Sequence, residues 1–188
     1  MVGFGCGLWY FSTFDSLYSS AHQPYQCLAI HMFSNPFTFR PQSRALSDGE
    51  KQLAKSVFGD AIDLESIQLK TAWWVLSGYA VSPDGNIYFH PDDWMIDVSC
   101  ETLAKRAWFI HELTHVWQAQ QGKAVFWRAL LNRRYRYTLR DGKSFFAYGI
   151  EQQARMVEEY YIRRETNQDC TAWQACVPFV GDGQQTMV

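Results

Sequence analysis

After Ser47, apolar positions recur at helical spacing: Leu53, Ala54, Val57 and Phe58 share one face, and Gly59 ends the run. Ser47 and Glu50 stand three residues apart at its start, the pattern of a reciprocal capping box. The period changes from Ile67 to Lys70, where apolar and polar residues alternate as in a strand with one solvated face. Asn86 to His90 reads as another strand, stopped by Pro91, and Ser82-Pro83-Asp84-Gly85 before it as a turn. Trp73-Trp74-Val75-Leu76 is apolar without a period and fits either state, and Met95 to Val98 fits a loop or a last strand.

The longest pattern runs from Ser99, read as an N-cap, through Gln121, with Gly122 as the stop. Ala104, Ala107, Trp108, His111, His115 and Gln118 form one broad face, and Leu103, Ile110, Leu113, Val116 and Trp117 cover much of the rest. A helix apolar over most of its circumference belongs inside a domain. Ala124 to Leu131 predicts a short helix, and Phe146 to Arg164 a longer one with Ile150, Ala154, Val157 and Tyr161 on its stripe. The expected fold is α+β: a small β-sheet beside a helical core, in a single domain over 1–188. Residues 1–45, aromatic-rich with turn signals at Asn35-Pro36 and Arg40-Pro41, are expected to wrap a core formed by 46–165. Residues 166–188 read as a partly ordered tail.

Within the longest helix, His111-Glu112-Leu113-Thr114-His115 places two imidazoles one turn apart on one face, with a glutamate beside the first. That spacing suits one Zn²⁺ shared by both rings, with Glu112 as the base that takes a proton from water. Two histidines and a glutamate in an otherwise apolar stretch carry a desolvation cost that a metal relieves. A third ligand has to come from elsewhere, and the later helix offers Glu151, Glu158 and Glu159. Glu151 is preferred because Ala154, one turn on, lets the two helices approach closely. Glu158, two turns on, suits a hydrogen bond to a ligand imidazole, and Glu159 replaces either in a shifted register. His90 is a further ligand candidate or part of the cleft wall. Tyr148, ahead of His90 and Tyr160, is the expected donor to a developing oxyanion.

Composition narrows the function. A net charge of -2 over 188 residues does not supply the basic surface a nucleic-acid binder needs. Arg133, Arg134, Arg136 and Arg140, interleaved with Tyr135 and Tyr137, therefore read as a salt-bridged connector. Trp73, Trp74 and Trp94 suit a substrate groove or the core equally. The five cysteines have no CxxC pair, so zinc-finger spacing is absent; Cys170 and Cys176 form one disulfide or stay as thiols. No apolar stretch reaches membrane-spanning length, so no stable membrane insertion is expected, and the N-terminus lacks the pattern of a secretory signal peptide.

The motif resembles the signature of the zincin metallopeptidases, and a downstream helical glutamate is similar to the gluzincin arrangement. Leu46 to Ile62, Pro83 to Phe89, Phe109 to Gln118 and Tyr148 to Ala154 resemble metallopeptidase effector domains at the C-termini of bacterial type VI secretion spike (VgrG) proteins and related toxins. The resemblance, over about residues 45–165, implies zinc ligands at His111, His115 and Glu151 with Glu112 catalytic. It implies that the strand of Ile87 and Phe89 is the edge strand bordering the substrate cleft. It implies a protein or peptide substrate, fusion to a secretion spike, a cognate immunity protein, and delivery as a secreted effector into a rival's periplasm or a host cell. Arg155 departs from the acidic residue that gluzincins carry one turn after the ligand glutamate. A zinc-stabilised interaction module and an amidase acting on peptidoglycan peptides are the alternatives; an open fourth metal position separates enzyme from module.

Overall fold

The computed structural model describes residues 41–122, 136–140 and 142–180. The wrapping segment expected over 1–45, apart from its last five residues, lies outside them, as do the helix expected at Ala124 to Leu131 and the connector residues Arg133, Arg134 and Tyr135. Four strands form one sheet in the order β1-β2-β4-β3, with β1 at Ser43–Ala45, β2 at Gln68–Thr71, β3 at Ala80–Val81 and β4 at Ile87–Phe89. β1 runs antiparallel to β2, β2 parallel to β4, and β3 antiparallel to β4. Leu69, Thr71, Ile87 and Phe89 face the core, while Gln68, Lys70 and Tyr88 face outward, the period of two expected of a sheet with one wet side. The register pairs Leu69 with Ile87 and Thr71 with Phe89. β4 is therefore an inner strand. The edge on that side is β3, a correction to the expectation that the strand of Ile87 and Phe89 is the edge strand.

α1 spans Asp48–Phe58 with the capping box formed: Ser47 Oγ accepts from the Glu50 N–H at 3.0 Å, and Glu50 accepts from the Ser47 N–H at 2.9 Å. Glu50 does more than cap. It is fully buried, takes the Arg44 guanidinium at 2.6 and 2.7 Å, and accepts from the Val98 N–H at 2.8 Å. One carboxylate thus ties β1 and α1 to the segment that leads into the next helix. A Cβ added at Gly49 would lie 2.2 Å from Ser99 Oγ, so this close approach requires glycine.

α2 covers Leu103–Gln120 and is capped by Thr102, whose hydroxyl accepts from the Lys105 N–H. Ser99, the expected cap, sits instead in a 3-10 turn at Val98–Cys100, because Asp97 Oδ1 accepts from both its N–H and its hydroxyl. Phe109, Ile110 and every residue from Glu112 to Gln118 are buried, so α2 is the central element. Phe89 meets Trp108 edge-on at 5.3 Å, joining sheet and helix. α3, Ile150–Glu165, packs along α2, with Ala154, Met156 and Val157 fully buried.

Of the expected tail over 166–188, residues 166–180 are among those described. α4 occupies Thr171–Cys176, and Val177 and Val180 enter the core. Trp173 Nε1 donates to the Tyr137 hydroxyl at 2.8 Å, which donates to Glu159 at 2.6 Å, while the Arg163 guanidinium lies 4.0 Å from the Trp173 ring centre. Cys170 and Cys176 are free thiols. Trp73 and Trp74 are solvent-exposed, whereas Trp94 packs against the core beneath Arg44.

Candidate metal centre

His111 and His115 lie one turn apart on α2, and Glu151 stands in the first turn of α3 opposite them. One ligand atom from each lies within 4.8 Å of the others, and among the described residues no fourth His, Cys, Asp or Glu joins the group. Glu151 Oε2 is 3.5 Å from His111 Nε2 and 3.4 Å from His115 Nε2. Donors on a tetrahedron with metal–ligand bonds of about 2.0–2.1 Å would be about 3.3–3.4 Å apart. The carboxylate–imidazole spacings are therefore already those of a zinc shell.

The remaining ring nitrogens fix the protonation pattern. His111 Nδ1 is 3.0 Å from Glu158 Oε2, and an ionised carboxylate only accepts, so Nδ1 carries the proton and donates it. His115 Nδ1 is 2.9 Å from Gln118 Oε1. The orientation of that amide is set by its other end: Gln118 Nε2 donates to the Ile150 carbonyl at 3.1 Å and to Gln153 Oε1 at 2.9 Å. Oε1 must then face His115 and accept from Nδ1–H. Both rings thus present Nε2 to Glu151, the nitrogen that can give its lone pair to a divalent metal once the ring is neutral. Gln153 donates onward to the Tyr148 carbonyl at 2.8 Å, so a buried amide relay joins His115 to the loop that launches α3.

Burial opposes charge on His111, yet its contacts with Glu151 and Glu158 outweigh this and push its pKa up to about 10. Burial likewise acts to raise Glu151, but its two imidazole partners hold it down at about 2. Without a metal, the cluster thus holds its positive charge as a proton. Burial also works against ionised Glu158, which hydrogen bonding to His111 and the charge of Arg155 keep below the usual carboxylate range. Arg155 bonds Glu158 directly. This accounts for the departure from the gluzincin pattern: the acidic partner is two turns after Glu151, not one, and Arg155 pins it.

Glu112 is 5% exposed and outside the ligand group. Its Oε2 accepts a 2.9 Å hydrogen bond from the Ser82 hydroxyl, itself buried at the end of β3. Glu159 is not gathered at the centre; it is held by Tyr137 and lies 3.6 Å from Arg163. His90 caps the 3-10 turn Pro91–Asp93, its Nδ1 accepting from the Asp92 N–H, and does not join the ligand group. Tyr160 is a core side chain. The Tyr148 hydroxyl donates to the Thr138 carbonyl at 3.0 Å and accepts from the Arg140 N–H at 3.2 Å, so serving an oxyanion would require breaking both bonds. Sequence reasoning gave no role to Ser82 or Gln118. A glutamine one turn past His115 on an apolar helix was a usable signal for the latter; for Ser82 there was none.

No family model matches the sequence. The chain is 40% identical over 133 residues to the type VI secretion system spike protein VgrG2b of Pseudomonas aeruginosa, an alignment covering 64% of this chain and 13% of that protein. The solved effector domain of Pseudomonas aeruginosa VgrG2b superposes with a TM-score of 0.62 at 37% identity, over 70% of this chain and 80% of that one. With this likeness and a His-Glu-x-x-His centre completed by a glutamate from the next long helix, the chain belongs to the family of the VgrG2b effector domain, within the zincin-like metallopeptidases.

Proposed function

We propose that this chain is a zinc-dependent metallopeptidase domain that hydrolyses peptide bonds as the effector part of a secretion spike protein. The observation that carries this reading is the set of three buried donors, with Glu112 beside them and outside the set. His111, His115 and Glu151 would hold the ion, and three protein ligands leave a coordination position open, as catalysis requires and a purely structural site does not. When bound, zinc supplies Lewis acidity toward a carbonyl oxygen and makes water a competent nucleophile at neutral pH. Glu112 accepts the proton released as water attacks the scissile carbon and returns it to the leaving nitrogen, so that a carboxylic acid and an amine result. Glu158 and Gln118 hold the two imidazoles in the tautomer that presents Nε2.

The likeness to 13% of a much longer spike protein supports a fused effector. Delivery into a target periplasm or host cell and a cognate immunity protein extend this reading. No helix among the described residues is long and apolar enough to cross a membrane. The test is Glu112→Gln, assayed for zinc content and for cleavage of a proteome-derived peptide pool. Full zinc content with lost cleavage is expected; cleavage at the wild-type rate would refute the assigned base. Release of amines from peptidoglycan peptides alone would move the substrate to the amidase alternative.

A further inference from the structure

Ser82 lies 30 residues before Glu112 in sequence and comes from the sheet, not from the metal-binding helices. Its hydroxyl is buried and donates to a carboxylate that is also buried. Ser82 follows the edge strand β3 directly and precedes Pro83, and the residue before a proline is confined to extended backbone. The donor is therefore fixed at both ends by covalent geometry and sheet pairing. Glu112, in contrast, has three rotatable side-chain torsions, and ordering them costs entropy that a well-aligned hydrogen bond offsets. The bond occupies only Oε2, leaving the other oxygen to handle the reacting proton.

Resting on the peptidase reading above, we propose that Ser82 is a positioning residue for the general base: it fixes the Glu112 carboxylate in one rotamer. Ser82 touches neither ligand imidazole in the hydrogen-bond network, so its effect should pass entirely through Glu112. A residue that only filled space would act equally whether or not Glu112 carried a charge.

A double-mutant cycle separates the two. The probe is acetohydroxamic acid, which chelates a catalytic metal and gives its proton to a neighbouring carboxylate. Its affinity for the zinc-loaded chain is measured for wild type, Ser82→Ala, Glu112→Gln and the double variant, with zinc content and melting temperature alongside. Ser82→Ala is expected to keep zinc and fold and to bind the hydroxamate about tenfold more weakly, the size expected for a hydrogen bond to a charged group. Ser82→Thr, which keeps the hydroxyl, should recover most of that loss. In the Glu112→Gln background, Ser82→Ala should have no further effect. Equal losses in both backgrounds, unchanged affinity in Ser82→Ala, or loss of zinc or fold in that variant would each overturn the assignment. On peptides that the wild type cleaves, Ser82→Ala should lower kcat about tenfold and leave KM in place. Failure of the wild type to cleave any peptide would count against the peptidase reading, while the hydroxamate cycle would still decide the role of Ser82.

Discussion

Replacing Glu158 with glutamine removes one charge and little volume from behind His111. Glu158 Oε2 is 3.0 Å from His111 Nδ1. Adding the width of the imidazole and a metal–nitrogen bond of about 2.1 Å puts that carboxylate roughly 7 Å from a bound ion. A zinc ion sharing its charge with Glu151 presents a net charge of about +1. At an effective dielectric constant of about 20, the attraction across that distance is about 2.4 kcal/mol, or roughly sixtyfold in affinity. That lies within the range of about 10–100-fold found when the outer partner of a metal ligand is removed. The assay is competition for zinc with a chromophoric chelator at fixed pH, accompanied by a melting curve. Zinc affinity within twofold of wild type in a folded Glu158→Gln would refute the claim that this carboxylate tunes the centre. Loss of all zinc in Glu158→Gln, with zinc retained in Glu151→Ala, would exchange the two glutamates' roles.

Other consequences follow from the same contacts. Glu50→Ala leaves Arg44 without its carboxylate and the Val98 N–H without its acceptor, and should cost about 3–5 kcal/mol, lowering Tm by on the order of 10 °C in thermal unfolding; a shift below about 2 °C would show that the hub carries little load. Gln118→Ala frees His115 Nδ1 and should weaken zinc retention about tenfold in the same chelator assay while sparing α1 and the sheet. In the metal-free protein, His111 has its pKa raised from 6.5 to about 10, so its stabilising contribution is complete below 6.5 and disappears as pH rises toward 10. Glu151 is lowered from 4.5 to about 2, so its contribution is complete above 4.5 and disappears as pH falls toward 2. Melting temperature with a chelator present should fall on both sides of pH 4.5–6.5, and zinc loading should flatten the alkaline fall; an alkaline slope that zinc leaves unchanged would contradict this account.

Much of the centre was legible in the sequence because its information is local. His111, Glu112 and His115 lie within one turn and a half, and Glu151 and Glu158 repeat on one face of a later helix whose period is clear. The capping box at Ser47 and Glu50 is local in the same way. What escaped was set by contacts distant in sequence. β3 has two residues and no alternation, so only its pairing with β4 reveals it as the edge. Ser82 reads as part of a turn, and its bond to Glu112 arises only when sheet and helix pack. Asp97 moves the start of α2 from Ser99 to Thr102 by capturing the serine's N–H and hydroxyl. The segment after Glu165 lacks periodicity, yet Trp173, Val177 and Val180 anchor it singly rather than as a stripe.

The most direct measurement is a crystal structure of the zinc-supplied wild type, with the metal located by anomalous scattering at the zinc edge. It should show one zinc per chain, bonded to His111 Nε2, His115 Nε2 and a Glu151 oxygen, with the fourth position taken by solvent. A fourth protein ligand, or imidazoles that diverge with no ion between them, would contradict it.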